Sequence, residues 1–396
     1  MKELLEKVIR KSIEEKEVAG VSLLIQRNGK EICFLTEGMA DRENHRKIER
    51  DTIFRIYSQT KPVCAAAAMI LMERGDIDLC QPLSEILPGF RNQNIYKDGT
   101  YQPVKREIQI HDLLQMTSGI CYPDTPGEGG KNAAELFGQI EVRRRLGHPV
   151  TTMEFANAMG GCALAFEPGS SWTYGASADV LGAVIEEVSG KSLGTFMEQE
   201  IFAPLGMKDT GFWVPPEKQN RLARIYKPVA EDGEKRLIRY EENYIGIDNR
   251  MDHVPAYESG GAGLVSTLGN YMRFARMLLN NGLYEGRRIL KENTVRYLTG
   301  GQLSTDQQKA FEDRMQMAGH SYGNLMSVCR NKHQAAMLAR AGEYGWGGWL
   351  GTYFANFPEE KMTILIGMQL PDTGAGTLAR KLRNIILSSG EVSFDV

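Results

Sequence analysis

The sequence predicts an α+β fold: an antiparallel sheet formed by N- and C-terminal strands and flanked by helices, with a mostly helical subdomain inserted between them. Three observations carry that prediction. Residues 20–27 and 31–37 are two β-rich runs on either side of Asn28, Gly29 and Lys30, a strong hairpin signal. A long apolar helix is expected from Ser58 to about Arg74, and it opens a helical, loop-rich stretch that lasts to about residue 265. β patterning then returns at Met337–Arg340, Gly351–Phe357 and Met362–Met368, before a last helix at about Ala375–Ser388. The expected organisation is a single module over 1–396, with an α/β subdomain from 1–58 and 265–396 and a mostly helical subdomain over 59–264.

Taken in order, the first ten residues, Met1 to Arg10, carry charges throughout and a helical apolar spacing, not the uninterrupted apolar stretch of a signal peptide. No window approaches the roughly 18 apolar residues that span a membrane. After the hairpin and the Ser58 helix, prolines and glycines punctuate the inserted region. From Cys121 to Pro149, glycines cluster and apolar periodicity is weak, which fits either a lid over a cleft or an ordinary surface excursion. Helices are expected at Ala178–Val188 and Thr195–Ile201. A turn at Gly260–Gly263 precedes another helix from about Ser266 to Asn280.

Composition narrows the function classes. With 42% hydrophobic residues in 396, a net charge of −3 and a pI near 6.2, the chain reads as a soluble globular protein. Arg143, Arg144 and Arg145 lack an accompanying aromatic or basic stripe, so they read as a solvated helix face and no nucleic-acid partner is expected. The six cysteines are widely spaced without a CxxC pair, and the six histidines lack metal-ligand spacing. Reduced thiols, no metal, no cofactor and no membrane partner are the expectations, together with a cytoplasmic location. No feature fixes an oligomeric state.

Ser58 and Lys61 are the candidate reacting pair. A serine in the first turn of a helix lies beside unpaired N–H groups and the positive end of the helix dipole, where an oxyanion is tolerated. A lysine three positions later lies one turn up on the same face. Chance alone produces about one Ser-x-x-Lys spacing in a chain of this composition, so the pair needs partners. Tyr174, after Glu167, Pro168 and Gly169, is a candidate proton acceptor. The glycine-flanked run Gly345, Trp346, Gly347, Gly348, Trp349 is a candidate strand-edge donor, because glycine lets a substrate approach the backbone. A rival string, Gly190-Lys191-Ser192-Leu193-Gly194, matches GxSxG, but it lies between two helices where a nucleophile elbow needs a strand before it. Ser192 therefore reads as a helix N-cap.

These motifs, in this order, resemble those of the class C β-lactamase superfamily of penicillin-recognising serine hydrolases, most of all its family VIII carboxylesterases. Ser58 and Lys61 match the SxxK motif, Tyr174-Gly175-Ala176 the YxN position, and Trp346-Gly347-Gly348 the KTG position. The runs Leu113–Gly119, Pro204–Met207 and Gly260–Thr267 are similar too, so the resemblance covers nearly the whole chain. It implies a serine β-lactamase-like fold, Ser58 as nucleophile, Lys61 and Tyr174 as proton carriers, and the Ser58 and Trp349 N–H groups as the oxyanion hole. Two positions depart from the pattern. Ala176 removes an amide that helps hold a lactam substrate and the lysine, and Trp346 removes the cation that would engage a substrate carboxylate. With Trp346, Trp349 and Tyr57 the cleft is expected to be aromatic and uncharged. It would suit a small neutral ester, or an amide, as the small-molecule substrate. The expected activity is carboxylester hydrolysis through an acyl-enzyme. The alternatives are amidase, D-aminopeptidase, weak β-lactamase or acyltransferase activity, or a catalytically silent binding protein. Because forming a tyrosinate at pH 7 costs about 4 kcal/mol, an optimum above about pH 8 is expected.

Overall fold

The computed structural model describes residues 1–389 except 232 and 375. Six helices organise it: α1 (Lys2–Glu14), α2 (Thr60–Arg74), α3 (Glu128–Arg145), α4 (Ser177–Ser189), α5 (Leu268–Leu279) and α6 (Thr377–Ser388). The main sheet has eight antiparallel strands: β1 (Gly20–Arg27), β2 (Lys30–Asp41), β3 (Arg46–Lys47), β4 (His320–Gly323), β5 (Met326–Cys329), β6 (Tyr344–Gly347), β7 (Tyr353–Phe357) and β8 (Met362–Gly367). Their order is β4-β5-β6-β7-β8-β1-β2-β3. The expected hairpin is β1–β2, with Arg27 opposite Lys30. Asn28 and Gly29 both take left-handed backbone, φ +51° and +75°, as a two-residue primed turn requires. Strand β8 pairs with β1 from Ser22 opposite Gly367 to Arg27 opposite Met362, so the late strands complete the sheet that the early ones begin.

Side chains alternate across this sheet and build two cores. One face, with Leu23, Ile25, Ala355 and Ile364, packs against Leu5 and Ile9 of α1 and Leu382 and Ile386 of α6. The other face, with Leu24, Phe354 and Leu365, joins α5 and the helical region in the larger core. Helix α2 is central to that core. Every residue from Thr60 to Leu71 is buried, as an all-round apolar sequence demands, and Gly75 ends the helix in left-handed backbone at φ +80°. Among the described residues no helix is long and apolar enough to cross a membrane.

The structure departs from the sequence expectations in several places. Residues 337–340 do not form a strand. Their backbone serves side chains instead: the Leu338 carbonyl accepts from Arg383 Nε and Nη2, and the Arg340 N–H donates to Glu343 Oε2. Strands β4 and β5, four residues each, were not anticipated. The inserted region also holds two small hairpins, Asn94–Lys97 with Thr100–Pro103 and Tyr226–Glu231 with Glu234–Arg239. The stretch from Cys121 to Pro149 is mostly α3, an 18-residue helix. The last helix begins at Thr377; Ala375, where it was expected to start, lies outside the described residues. Ser192 Oγ does accept the Thr195 N–H, at 3.2 Å, and Gly190 is left-handed at φ +66°.

A buried ionic network links β4, the residue just before β6, and α6. Glu343 Oε1 accepts from Arg383 Nη2 and lies 3.2 Å from His320 Nε2, with all three side chains at most 4% exposed. Burial pushes the Glu343 carboxyl up, but the His320 and Arg383 contacts outweigh it and hold the group below its ordinary value. Glu343→Gln leaves a buried guanidinium without its anion and should cost about 3–5 kcal/mol of stability in urea unfolding at pH 7. A depressed carboxylate stabilises fully above its unfolded value of about 4.3 and loses that contribution as pH falls through its folded value. The gap between wild type and variant should therefore shrink below about pH 4. An unchanged gap down to pH 3 would assign the cost to packing alone.

Candidate active site

Ser58 does not cap α2. It lies in a 3-10 turn, Tyr57–Gln59, immediately ahead of the helix. The turn is entered through Tyr57 in left-handed backbone, φ +43°, a conformation that costs a non-glycine residue about 1–2 kcal/mol. Burial and neighbours hold it there. Tyr57 is 0% exposed and its hydroxyl donates to Asn249 Oδ1 at 2.8 Å, while the buried Arg55 guanidinium donates to the Asn249 and Ala223 carbonyls. The expectation that Tyr57 lines the cleft is thus corrected: its ring packs beneath Trp349, with centroids 5.0 Å apart, and braces the turn from below.

Lys61 is 0% exposed and its ammonium group faces Ser58. Nζ donates to Ser58 Oγ at 3.3 Å, to the Gly261 carbonyl at 2.9 Å and to the Tyr122 hydroxyl at 3.4 Å. Nζ also lies 4.6 Å from the centre of the Tyr174 ring. Tyr174 is therefore beside the pair, but among the described residues its hydroxyl bonds neither Ser58 nor Lys61. It accepts from Trp346 Nε1 at 3.0 Å. The hydroxyl that touches Lys61 belongs to Tyr122, which the sequence reading did not single out. Ala176 is fully buried, so the position of the family's asparagine is apolar here.

The strand that faces Ser58 is β6, and its exit turn is pinned to the Ser58 turn. Thr352 Oγ1 donates to the Ile56 carbonyl at 3.2 Å, and the Gly348 N–H donates to the Thr352 carbonyl at 2.7 Å. A Cβ on Gly348 would stand 2.3 Å from the Ile56 oxygen, so only glycine permits this approach. Neither the Ser58 N–H nor the Trp349 N–H donates to another described residue.

A cavity of about 460 Å³ opens over Ser58, lined by Tyr174, Trp346, Gly347, Gly348, Trp349 and Tyr244 among others. Trp349 stacks on Tyr244 at 4.2 Å and donates from Nε1 to Asp372 at 2.7 Å. The wall is aromatic as expected, but it is not uncharged: Asp124, Asp372, His320, Glu343 and Arg383 also contribute to it. These charges are largely engaged, Asp124 with Arg314 and Glu343 with Arg383. Potential ligand atoms of His320, Cys329 and Glu343 lie within 4.8 Å of one another, a grouping that sequence spacing hides. Glu343 already shares Oε1 between His320 and Arg383, so a cation there would have to displace or adjoin a buried guanidinium. The donor set fits an ion-pair lock better than a metal centre. All six cysteines are free thiols.

A family model described as Beta-lactamase matches residues 5–386. The chain is 29% identical over 399 residues to Esterase EstB of Burkholderia gladioli, covering 96% of this chain and 94% of the relative. It is 26% identical over 317 residues to ML-236A carboxylate methylbutanoyltransferase mlcH of Penicillium citrinum, covering 76% of this chain and 69% of that one. Among solved structures it is similar to EstCE1, a hydrolase with promiscuous acyltransferase activity. The TM-score is 0.79 at 25% identity, over 97% of this chain and 98% of that chain.

Proposed function

The chain belongs to the β-lactamase family, and on that footing we propose that it is a serine hydrolase that cleaves small neutral carboxylic esters through a Ser58 acyl-enzyme. The observation that carries the reading is the solvent-excluded Lys61 amine within hydrogen-bond reach of Ser58 Oγ, at the floor of a cavity walled by Trp346. Ser58 Oγ attacks the ester carbonyl and its proton passes to neutral Lys61 Nζ. The carbonyl oxygen takes the displaced electron pair and is held by the Ser58 and Trp349 N–H groups. Collapse breaks the bond to the alcohol, which takes the proton that Lys61 Nζ holds, while the Tyr174 ring face steadies the ammonium. Water then repeats the sequence on the acyl-enzyme.

Trp346 bears on the substrate as well as on Tyr174. It stands where a lysine would meet a substrate carboxylate, the rim adds Asp124 and Asp372, and the wall's Arg383 is already paired with Glu343, so among the described residues an anionic substrate meets no unpaired guanidinium or ammonium at this wall. p-Nitrophenyl acetate and butyrate should be turned over far faster than nitrocefin or D-alanine p-nitroanilide. Faster nitrocefin turnover would reverse the substrate assignment. The similarity to EstCE1 and to the methylbutanoyltransferase supports a second reading, in which an alcohol replaces water as acyl acceptor. Transfer to an added alcohol that outruns hydrolysis would favour it.

A further inference from the structure

We infer that Asp179 is the buried counter-ion and positioning residue of Lys61, acting through the Tyr122 hydroxyl and the Gly261 backbone. This inference rests on the reading of Ser58 and Lys61 as the reacting pair. Lys61 is wholly enclosed, and a buried ammonium requires an anion or a dense set of acceptors. Its two hydrogen bonds beyond Ser58 go to the Gly261 carbonyl and the Tyr122 oxygen. Asp179 holds both. Its Oδ2 accepts the Tyr122 hydroxyl at 2.9 Å, and its Oδ1 accepts the Gly261 N–H at 3.1 Å. Oδ1 also accepts the Tyr257 hydroxyl at 2.8 Å and the Ser259 hydroxyl. A carboxylate that accepts on both oxygens and donates nothing is in its anionic hydrogen-bonding pattern.

The backbone has been fitted to this arrangement. A Cβ at Gly261 would lie 2.5 Å from Asp179 Oδ2 and 2.7 Å from the Tyr122 hydroxyl, so any side chain there would force the lysine's two acceptors apart. Asp179 sits in the first turn of α4, 1% exposed. Lys61 is met by Ser58 from its own turn, by Tyr122 and Tyr174 from the loops, and by the field of Cys64 on α2. Asp179 is met by Tyr122, Tyr257 and Ser259. Burial first, and then the Asp179 charge, push the Tyr122, Tyr257 and Cys64 protons to stay on, so these three act as fixed donors and not as bases.

The role is electrostatic as well as geometric. When Ser58 gives its proton to Lys61, positive charge appears on Nζ, and the Tyr122 and Gly261 dipoles oriented by Asp179 meet it without reorganisation.

The test begins with wild-type enzyme: labelling of Ser58 by a fluorophosphonate and p-nitrophenyl butyrate turnover establish the underlying reading, and their absence sinks that reading instead. Given activity, the pH profile of kcat/KM is then compared for wild type, Asp179→Asn and Tyr122→Phe. Asp179→Asn should lower the plateau about tenfold and move the rising limb down by about one pH unit, because the proton leaves Lys61 beside one less negative charge. Tyr122→Phe, which cuts the bridge but keeps the ring in the core, should move the limb the same way by less. It decides the matter alone if Asp179→Asn does not fold. A lower plateau with the limb unmoved in both folded variants would make Asp179 merely structural and overturn the proposal.

Discussion

Ser58→Ala should leave a folded protein that no longer takes a fluorophosphonate label and has lost at least about 10⁴-fold in kcat for p-nitrophenyl butyrate, since covalent catalysis has no second nucleophile to fall back on. The side chain is half-buried at the floor of the cavity and contributes little packing, so thermal unfolding should be nearly unchanged. The neighbouring hydroxyls are poor substitutes. Tyr122 and Ser259 are committed to Asp179, and Ser192 caps a helix elsewhere. Retained label or turnover in a folded Ser58→Ala protein would refute the acyl-enzyme mechanism. Wild-type protein that is well folded yet shows neither signal would point to the silent binding protein instead.

Gly348→Ala should be nearly as damaging, through geometry and not through chemistry. The added methyl meets the Ile56 oxygen and Thr352 Oγ1, each at 2.3 Å, and Ile56 precedes Ser58 by two residues. Something must move by roughly an ångström, and what moves are the two segments that carry the Ser58 and Trp349 N–H groups. Displacement on that scale, or loss of one oxyanion donor, is worth about 10²–10³-fold in kcat. KM for a small ester should change far less, because the donors act on the charge that develops during reaction. A variant with wild-type kcat would show that the exit turn of β6 does not hold the oxyanion.

Much of this was legible in the chain because local chemistry and tertiary role agree. Asn28-Gly29 specifies a turn that few other pairs accept, and the all-apolar helix after Ser58 can only be buried. Ser58, Lys61, Tyr174 and the Trp346 strand were visible as ordered motifs, and the fold they imply is the one observed. Other features carried no local signal. Residues 337–340 have the apolar content of a strand, yet their peptides are taken by Arg383 and Glu343, a tertiary demand that periodicity cannot register. Strands β4 and β5 are too short to set up an alternation. Tyr122 follows an irregular run after Gly119, and Asp179 looks like any acid in a first helical turn. Only packing of α2, α4 and the Gly260–Gly263 turn brings them to Lys61. The one legible hint was Gly261, a glycine in a turn whose other side faces the lysine.

The clasp between Thr352 and Ile56 joins residues 296 positions apart. During synthesis the serine and lysine emerge early, while the strand that offers the second oxyanion donor is among the last pieces made. Until that strand docks beside the serine turn, the hydroxyl has a neighbouring amine but no prepared place for the charge its attack would create. Such distant pairing closes slowly relative to local structure. Under the proposed mechanism, a polypeptide that has not yet paired this strand with the serine turn lacks its second oxyanion donor and should show no turnover.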